Sequence, residues 1–469
     1  MKRIAIMMSL AAMMAMPAVR MSAEPAAKEK KQKIEIPSNI KFYGFIRNYF
    51  AFDTRESKAG TGDLFYYTPL DNNPNANGED LNAQASFRFL SLTSRLGVDV
   101  IGYQFGRTKF GAKIETDFYC GLSSVTPPDA MKEYDKRTPV NGTAQLRLRQ
   151  AYVTIGWDDM KTRKGTPIAV AMKIGQAWHP MAADQPHVFS LETGAPFNAF
   201  SRTPQVLADA SFGKNVMLSA AALWQMQYLS QGPDGKSADY IKYSCVPEMY
   251  LGLTLKSNNG FLARIGTNLL SIKPRRLGTE TFERDDAGPI DVIVKVSDRI
   301  TTLSPYLYLQ YKSRLFEVKA KTIFSHGGEH MNLMSGYGIS EKCEDGHYEY
   351  TPFKTSSTWA SMSYGKKWQV MLMGGYIKNL GTVDKLVNAG GVVDKADFYF
   401  SGNTDKTFAG MWRVIPSVAY NAGKFTLGLE YNYTAARFGN GVFNEHGLST
   451  EGRHNVENHR VQMMVKFTF

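Results

Sequence analysis

The sequence contains only three cysteines, Cys120, Cys245 and Cys343, and no apolar run of about 18 residues follows residue 23. An odd number of cysteines argues against a disulfide framework in an exported chain, although one pair remains open. Without a long apolar run no helix can cross a bilayer, so a membrane role requires a closed barrel. No linker or break in composition divides the 469 residues. Because this length exceeds the usual size of one soluble core, a single large barrel is favoured.

Common signatures of catalysis and cofactor binding are also missing. No glycine-rich loop follows a strand and opens a helix, so nucleotide binding has no support. His326, His330, Cys343 and His347 share one link, but their spacing matches no standard metal site. Ser325 lies beside His326, and neighbours on a strand point to opposite faces, which separates a nucleophile from its base. We therefore predict a protein that is not an enzyme and needs no cofactor or metal.

The N-terminus has the charge order of a secretory signal. Lys2 and Arg3 precede an apolar run over residues 4–15, and small residues continue as far as Ala23. We predict a signal peptide over 1–23 and a short polar periplasmic segment over 24–40; a buried N-terminal helix is the alternative. The net charge of +12 gives no reason to expect nucleic acid in an exported protein. It would favour anions if it lay inside a lumen.

Read with a period of two, the chain breaks into segments of about ten to fourteen residues in which apolar and polar side chains alternate, as in the walls of membrane barrels. The last segment, 459–469, is the clearest. One face suits lipid and carries Val461, Met463, Val465, Phe467 and Phe469; the other suits water and carries Arg460, Gln462, Met464, Lys466 and Thr468. A soluble sandwich can also alternate, so this pattern alone does not decide the fold.

The links between these segments alternate between short and long. Short links are predicted at 101–106, 158–166, 213–214, 257–260, 312–313, 365–366 and 421–423, and long polar links at 53–86, 121–143, 178–203, 229–243, 273–299, 326–354, 379–407 and 436–458. All long links then lie at one end of a barrel, as in outer-membrane proteins. We predict an all-β fold, a transmembrane antiparallel β-barrel of about 16 strands over 41–469, with long external loops and short periplasmic turns. A stray strand near Asp291–Val296 could alter the count.

The C-terminal residue Phe469, with Phe467 two positions earlier, resembles the signal that the barrel assembly machinery reads. This predicts insertion into the outer membrane of a Gram-negative bacterium, with outer-membrane lipid around the wall. An aromatic girdle at the membrane boundary is predicted near the strand ends. Its candidates are Tyr43, Trp157, Trp178, Trp368 and Trp412.

A barrel of this size is wide enough for an aqueous channel and needs a constriction to select solutes. Basic residues cluster on the inward phase of the early strands, with carboxylates among them. The candidate constriction residues are Arg95, Lys113, Glu115, Asp117, Arg147, Arg149 and Lys173, together with Asp184 and Glu192 of the link 178–203. Such a row of cations would favour small anions. The alternative is that the cations pair with Glu115 and Asp117 and confer little selectivity.

Two further expectations concern loop and wall geometry. The link 178–203 carries apolar residues such as Phe189, Phe197 and Phe200, which suit packing against the inner wall rather than a solvated loop. An external loop that packs on neighbouring loops is the alternative. Arg88 can share the inward face with Arg95 only if a bulge shifts the phase between them.

Three short motifs resemble the first, fourth and fifth strands of DcaP-like trimeric porins. They are Phe42-Tyr43-Gly44-Phe45-Ile46-Arg47 leading to Asp53, Arg147-Leu148-Arg149-Gln150-Ala151-Tyr152, and Gly175-Gln176-Ala177-Trp178. The resemblance covers the N-terminal third best. It implies a homotrimer that admits small negatively charged solutes, including dicarboxylates, past a constriction containing Arg95, Arg147 and Arg149. The family's periplasmic coiled coil has no counterpart here, because 24–40 is too short for several heptads.

The function predicted is therefore passive diffusion of small hydrophilic solutes through an outer-membrane porin, with a preference for small anions such as carboxylates. One alternative is a barrel enzyme of the lipase or protease type. The other is a structural or adhesive barrel whose lumen is plugged.

Overall fold

The computed structural model describes residues 39–60, 65–91, 93–119, 145–283, 288–388 and 392–469. The predicted signal peptide, residues 24–38 of the periplasmic segment and Cys120 lie outside these ranges, so those predictions stay predictions. Cys245 and Cys343 are both free. None of the helices in the described ranges is both long enough and apolar enough to span a bilayer.

Sixteen antiparallel strands in the described residues form a closed barrel, which confirms the predicted fold class. They are β1 (Ile40–Asp53), β2 in two parts (Ser86–Leu90 and Arg95–Phe105), β3 (Thr108–Tyr119), β4 (Gln145–Lys161), β5 (Pro167–Trp178), β6 (Arg202–Phe212), β7 (Val216–Leu223), β8 (Glu248–Lys256), β9 (Phe261–Ile272), β10 (Ile300–Lys312), β11 (Phe316–His326), β12 (Tyr348–Gly365), β13 (Trp368–Thr382), β14 (Phe408–Ala422), β15 (Phe425–Phe438) and β16 (His454–Thr468). β16 pairs with β1, from Phe45 opposite Thr468 to Asp53 opposite Arg460. This last pairing closes the sheet.

Short turns and long links alternate around the described barrel as predicted. β2 runs through Gly102 to Phe105, so the first turn is tighter than the expected link at 101–106. Gly102 has a φ of +76°, and the register shifts between Val100 and Tyr103. The stray strand is real, as Ile290–Lys295, but it pairs with Leu277–Phe282 inside the link between β9 and β10. The barrel count is therefore unaffected.

The two faces of the wall differ in polarity, which follows from the period of two in the strands. Large apolar side chains remain exposed on the outside, among them Phe42, Ile46, Leu146, Leu251 and Ile265. Charged and polar side chains face inward, among them Asp53, Glu115, Arg149, Lys321 and Glu430. An apolar outer band around a polar interior suits hydrocarbon outside and water inside. This is the architecture of an outer-membrane β-barrel.

The interruption of β2 keeps Arg88 and Arg95 on the same face. Thr93 lies between the two parts of the strand and has a φ of +79°. On the first part, the Arg88 guanidinium donates to Asp53 at 2.7 Å, and Arg460 donates to the same carboxylate at 3.0 Å. The predicted phase shift is therefore present, and it leaves Arg88 in a buried ion cluster rather than beside Arg95.

Aromatic residues at strand ends divide between the two faces. Trp368 and Trp412 are exposed on the outside, as a girdle requires. Tyr43 instead points inward, where its hydroxyl donates to Glu115 at 3.1 Å. Trp178 also points inward and has Arg202 4.8 Å above its ring centroid. The girdle prediction is wrong for these two, because position at a strand end does not fix the face.

Candidate functional site

The link between β5 and β6, residues 179–201, lies inside the barrel. At its middle, the Tyr49 hydroxyl of β1 donates to the Phe189 carbonyl at 2.7 Å. The Glu430 carboxylate of β15 accepts from the backbone N–H groups of Phe189 at 2.5 Å and Ser190 at 3.1 Å. Because these wall residues face the interior, the link crosses the lumen to the strands opposite its own.

Further anchors follow along the same link. The Ser357 hydroxyl of β12 donates to the Phe197 carbonyl at 2.8 Å. The Lys321 ammonium of β11 donates to the Met181 carbonyl and, at 3.1 Å, to the Asn198 side chain. Inward-facing residues of several strands therefore hold this one segment in place.

Two aromatic rings of the link fit against glycines of the wall. A Cβ at Gly428 would lie 2.7 Å from the Phe189 ring, and a Cβ at Gly375 would lie 2.5 Å from the Phe197 ring. Both separations are too short for a side chain, so the rings occupy the space that glycine leaves. The apolar content that set this link apart in the sequence is thus buried inside the barrel.

The acidic residues of this link contact the far wall, away from the early strands. Asp184 forms an ion pair with Arg264 of β9. Glu192 is fully buried, 3.8 Å from Arg413 of β14, and burial raises the pKa of its carboxyl to about 7. His187 lies 3.5 Å from Glu317, while burial and then the Lys319 charge lower its pKa to about 4. Glu192 is therefore shielded from the lumen by the packing of the link.

A second set of inward charges lies on β2, β3 and β4, and we call it the arginine wall: Arg95, Glu115, Asp117, Arg147 and Arg149. Arg147 donates twice to Asp117, with both distances 2.9 Å. Arg149 bridges the two acids, at 2.9 Å from Glu115 and 2.6 Å from Asp117. Arg95 lies 3.5 Å from Glu115. The structure thus brings together five of the residues predicted from the sequence.

The cations of the arginine wall are more accessible than its carboxylates. The side chains of Arg95 and Arg147 each keep 21% of their surface exposed. Asp117 is 0% exposed and Glu115 5%. The acids are covered by the guanidinium groups that neutralise them. Arg95 and Arg147 therefore expose more of their side chains than the acids with which they pair.

The two predicted lysines lie beside the arginine wall with partners of their own. Lys113 forms an ion pair with Asp99 at 3.1 Å and donates to the Tyr43 hydroxyl at 3.1 Å. Lys173 lies 5.1 Å from the centroid of the Tyr152 ring. Both extend the basic character of this wall along β3 and β5.

Sequence reasoning missed two cations near this wall. Arg47 of β1 donates to the Thr93 hydroxyl at 3.2 Å and lies over the Phe45 and Tyr49 rings. Lys466 of β16 is the cross-strand partner of Arg47. The period-two pattern puts both on the inward face, so the signal was present. The pattern does not show that the first strand pairs with the last, and this pairing places Arg47 and Lys466 side by side.

His330 and His347, two of the residues considered for a metal site, have different partners. His330 bonds to the buried carboxylate of Glu248 at 2.8 Å, and the same carboxylate bonds to His179 at 3.1 Å. His347 bonds to Asp298 at 2.5 Å. Across the described ranges, no three histidine, cysteine or acidic side chains converge in a way that could hold a metal ion.

Solved structures with the same architecture include the outer-membrane channel DcaP of Acinetobacter baumannii, with a TM-score of 0.55 and 17% identity over 92% of this chain and 97% of that one. The chain has the fold of the outer-membrane porins. An anion-selective porin from Comamonas acidovorans matches with a TM-score of 0.50 and 10% identity, over 92% of this chain and 99% of that one. No protein-family model matches the sequence, and no curated protein matches it significantly. At these identities the porin likeness concerns the fold.

Proposed function

We propose that this porin-fold barrel is a passive diffusion channel for small hydrophilic solutes that favours small anions, carboxylates in particular, and that it performs no catalysis. The observation that supports the proposal is the difference in exposure between the cations and the acids of the arginine wall. Arg95 and Arg147 are accessible from the lumen, whereas Glu115 and Asp117 lie shielded beneath them. Internal pairing therefore neutralises the acids while Arg95 and Arg147 stay partly exposed.

The chemistry of guanidinium supports an anion preference. Its charge persists over the whole physiological pH range, and its planar donors match a carboxylate. A small anion that passes the wall exchanges part of its hydration shell for these donors. The link that crosses the lumen brings Asp184 to Arg264 of β9 on the far side, and these two neutralise each other. The described residues of the arginine wall, by contrast, include three arginines and two acids.

Ion selectivity tests this proposal. The double variant Arg95→Gln, Arg147→Gln removes two accessible cations and leaves Arg149 to hold the acids. Each charge is worth on the order of 1 kcal/mol to an anion about 4 Å away in water. We expect the chloride-to-potassium permeability ratio, from reversal potentials under a KCl gradient, to fall by about tenfold or more.

The matched control is Lys256→Gln, Lys424→Gln, which removes the same charge from two exposed positions beside the short turns. Its permeability ratio should equal that of the wild type. If the double arginine variant conducts normally and keeps the wild-type ratio, the arginine wall does not set selectivity. A protein that gives no conductance steps at all would contradict the channel itself.

We also propose a homotrimer, supported by the likeness of the three N-terminal motifs to trimeric porins. Native mass spectrometry in detergent should give three chains per particle, and bilayer recordings should show insertion in threefold steps. A uniform monomer in several mild detergents would contradict this assembly.

A further inference from the structure

A groove opens on the outer surface of the barrel, where β13–β16 meet the long links. Its volume is about 440 Å³. Three cations line it: Lys378 of β13, Arg437 of β15 and Arg453 of the last link. Gly410 forms part of its floor, and a Cβ there would lie 2.8 Å from the Ile377 carbonyl. The groove is on the lipid-facing side of the wall, because Ile377 and Ala436, which adjoin Lys378 and Arg437, are buried.

The depth of the groove relative to the membrane follows from the aromatic residues below it. Tyr376 and Trp412 are exposed on the same outer face and line the groove. Trp412 packs against Tyr433 with ring centroids 4.8 Å apart, and Tyr433 lies 5.0 Å from the His459 ring. Such a band marks the boundary between hydrocarbon and headgroups. Lys378 is two residues beyond Tyr376, and Arg437 four beyond Tyr433, or roughly 7 and 13 Å towards the exterior.

The three cations have polar neighbours but no carboxylate partner. Arg437 donates to the Asn455 side chain at 3.0 Å, and Arg453 donates to the Ser449 carbonyl at 3.4 Å. Within the described ranges, no acid lies at ion-pair distance from either arginine or from Lys378. Glu457 also faces outward on β16, but it lies two residues deeper in the membrane than Asn455 and interacts with Tyr433. The groove therefore holds an excess of positive charge at headgroup depth.

We propose that this groove binds the phosphorylated headgroup of a lipid in the outer leaflet, with the acyl chains lying along the aromatic and apolar face beneath it. Guanidinium groups bind phosphate through paired hydrogen bonds. Gly410 is the cross-strand partner of both Lys378 and Arg437, so no side chain of β14 lies between these two cations. A zwitterionic lipid would place its own cation beside the three on the protein. A free phosphate ion would make no use of the apolar face. A lipid with more than one phosphate fits both parts of the site.

Lipid binding to the purified protein tests the assignment by native mass spectrometry in a neutral detergent. The probes are lipid A with two phosphates, its monophosphoryl form and phosphatidylcholine. We expect retention in that order. The triple variant Lys378→Gln, Arg437→Gln, Arg453→Gln should bind diphosphoryl lipid A about 100-fold more weakly, at roughly fivefold for each basic side chain near an anionic surface.

The control variant Lys214→Gln, Lys256→Gln, Lys424→Gln removes the same net charge beside the short turns and should bind as the wild type does. Resistance to heat-induced unfolding on gels shows that each variant is folded, and unchanged conductance separates this site from the channel. Equal losses in the two triple variants would overturn the proposal. So would retention that does not depend on the number of phosphates. Saturation by inorganic phosphate alone, with the same dependence on the variants, would assign the groove to a free anion instead.

Discussion

Glu430 fastens the middle of the link that crosses the lumen, and removing its carboxylate should release that segment while the barrel stays intact. The variant Glu430→Ala leaves the Phe189 and Ser190 N–H groups without their acceptor. Hydrogen bonds to a charged acceptor contribute about 1.5–3 kcal/mol each, and recovery of the carboxylate's hydration on truncation offsets part of the sum. We expect local opening to become easier by on the order of 3 kcal/mol, a factor of about 100.

Hydrogen exchange followed by mass spectrometry measures this opening directly. Amides in a peptide spanning residues 183–194 should exchange about 100-fold faster in Glu430→Ala, while those of β15 are unchanged. Glu430→Gln keeps one acceptor oxygen and should fall between the two. Ser417→Ala is the control, since it removes a bond to the same carboxylate, at 3.2 Å, and leaves both amide bonds in place. Equal exchange in Glu430→Ala and the wild type would refute the anchoring role, and so would equal acceleration in Ser417→Ala.

Two further predictions concern buried charge. Burial raises the pKa of Glu192 to about 7 from an unfolded value near 4.5, so the folded state binds an extra proton between these pH values. The contribution of this carboxyl to the free energy of unfolding is therefore greatest below pH 4.5 and is lost as pH rises through 7. The thermal midpoint should therefore drop between pH 5 and pH 8 in the wild type and drop less in Glu192→Gln; parallel slopes would contradict this. Asp53→Ala leaves Arg88 and Arg460 without their shared carboxylate and should lower the free energy of unfolding by about 3–5 kcal/mol. Glu445→Ala breaks an exposed pair with Lys385 and should leave the free energy of unfolding nearly unchanged. Equal losses in the two variants, measured by heat-induced unfolding, would show that burial of the Asp53 cluster adds nothing.

The strands and turns could be predicted from the sequence because they depend on local pattern. A period of two identifies which residues share a face, and it placed Arg95, Arg147 and Arg149 together with their acids correctly. It fails where the phase shifts, as at Thr93 and Gly102, whose positive φ values interrupt the regular strand. The period of two also does not predict where a side chain points in the links beyond a strand end.

The path of the long links depends on contacts that no local pattern contains. Phe189 and Glu430 are 241 positions apart, and Phe197 and Ser357 are 160 apart. Apolar content predicted that the link after β5 would pack inside, yet the partners of Asp184 and Glu192 depended on which wall the link reached. Both acids contact arginines of the far wall, Arg264 and Arg413, and not the arginine wall with which the sequence analysis grouped them.

Accessibility, more than the number of inward charges, determines what a solute in this lumen encounters. Arg413 carries the same charge as Arg95, but its side chain is 0% exposed, and it donates to the Tyr67 carbonyl of one link and to the Ala195 carbonyl of another. Lys321 is likewise buried and bonded to the link inside the barrel. These cations hold loops in place and are covered by them. Because the crossing link and its neighbours cover these two side chains, they differ from Arg95 and Arg147, which each keep 21% of their side-chain surface exposed.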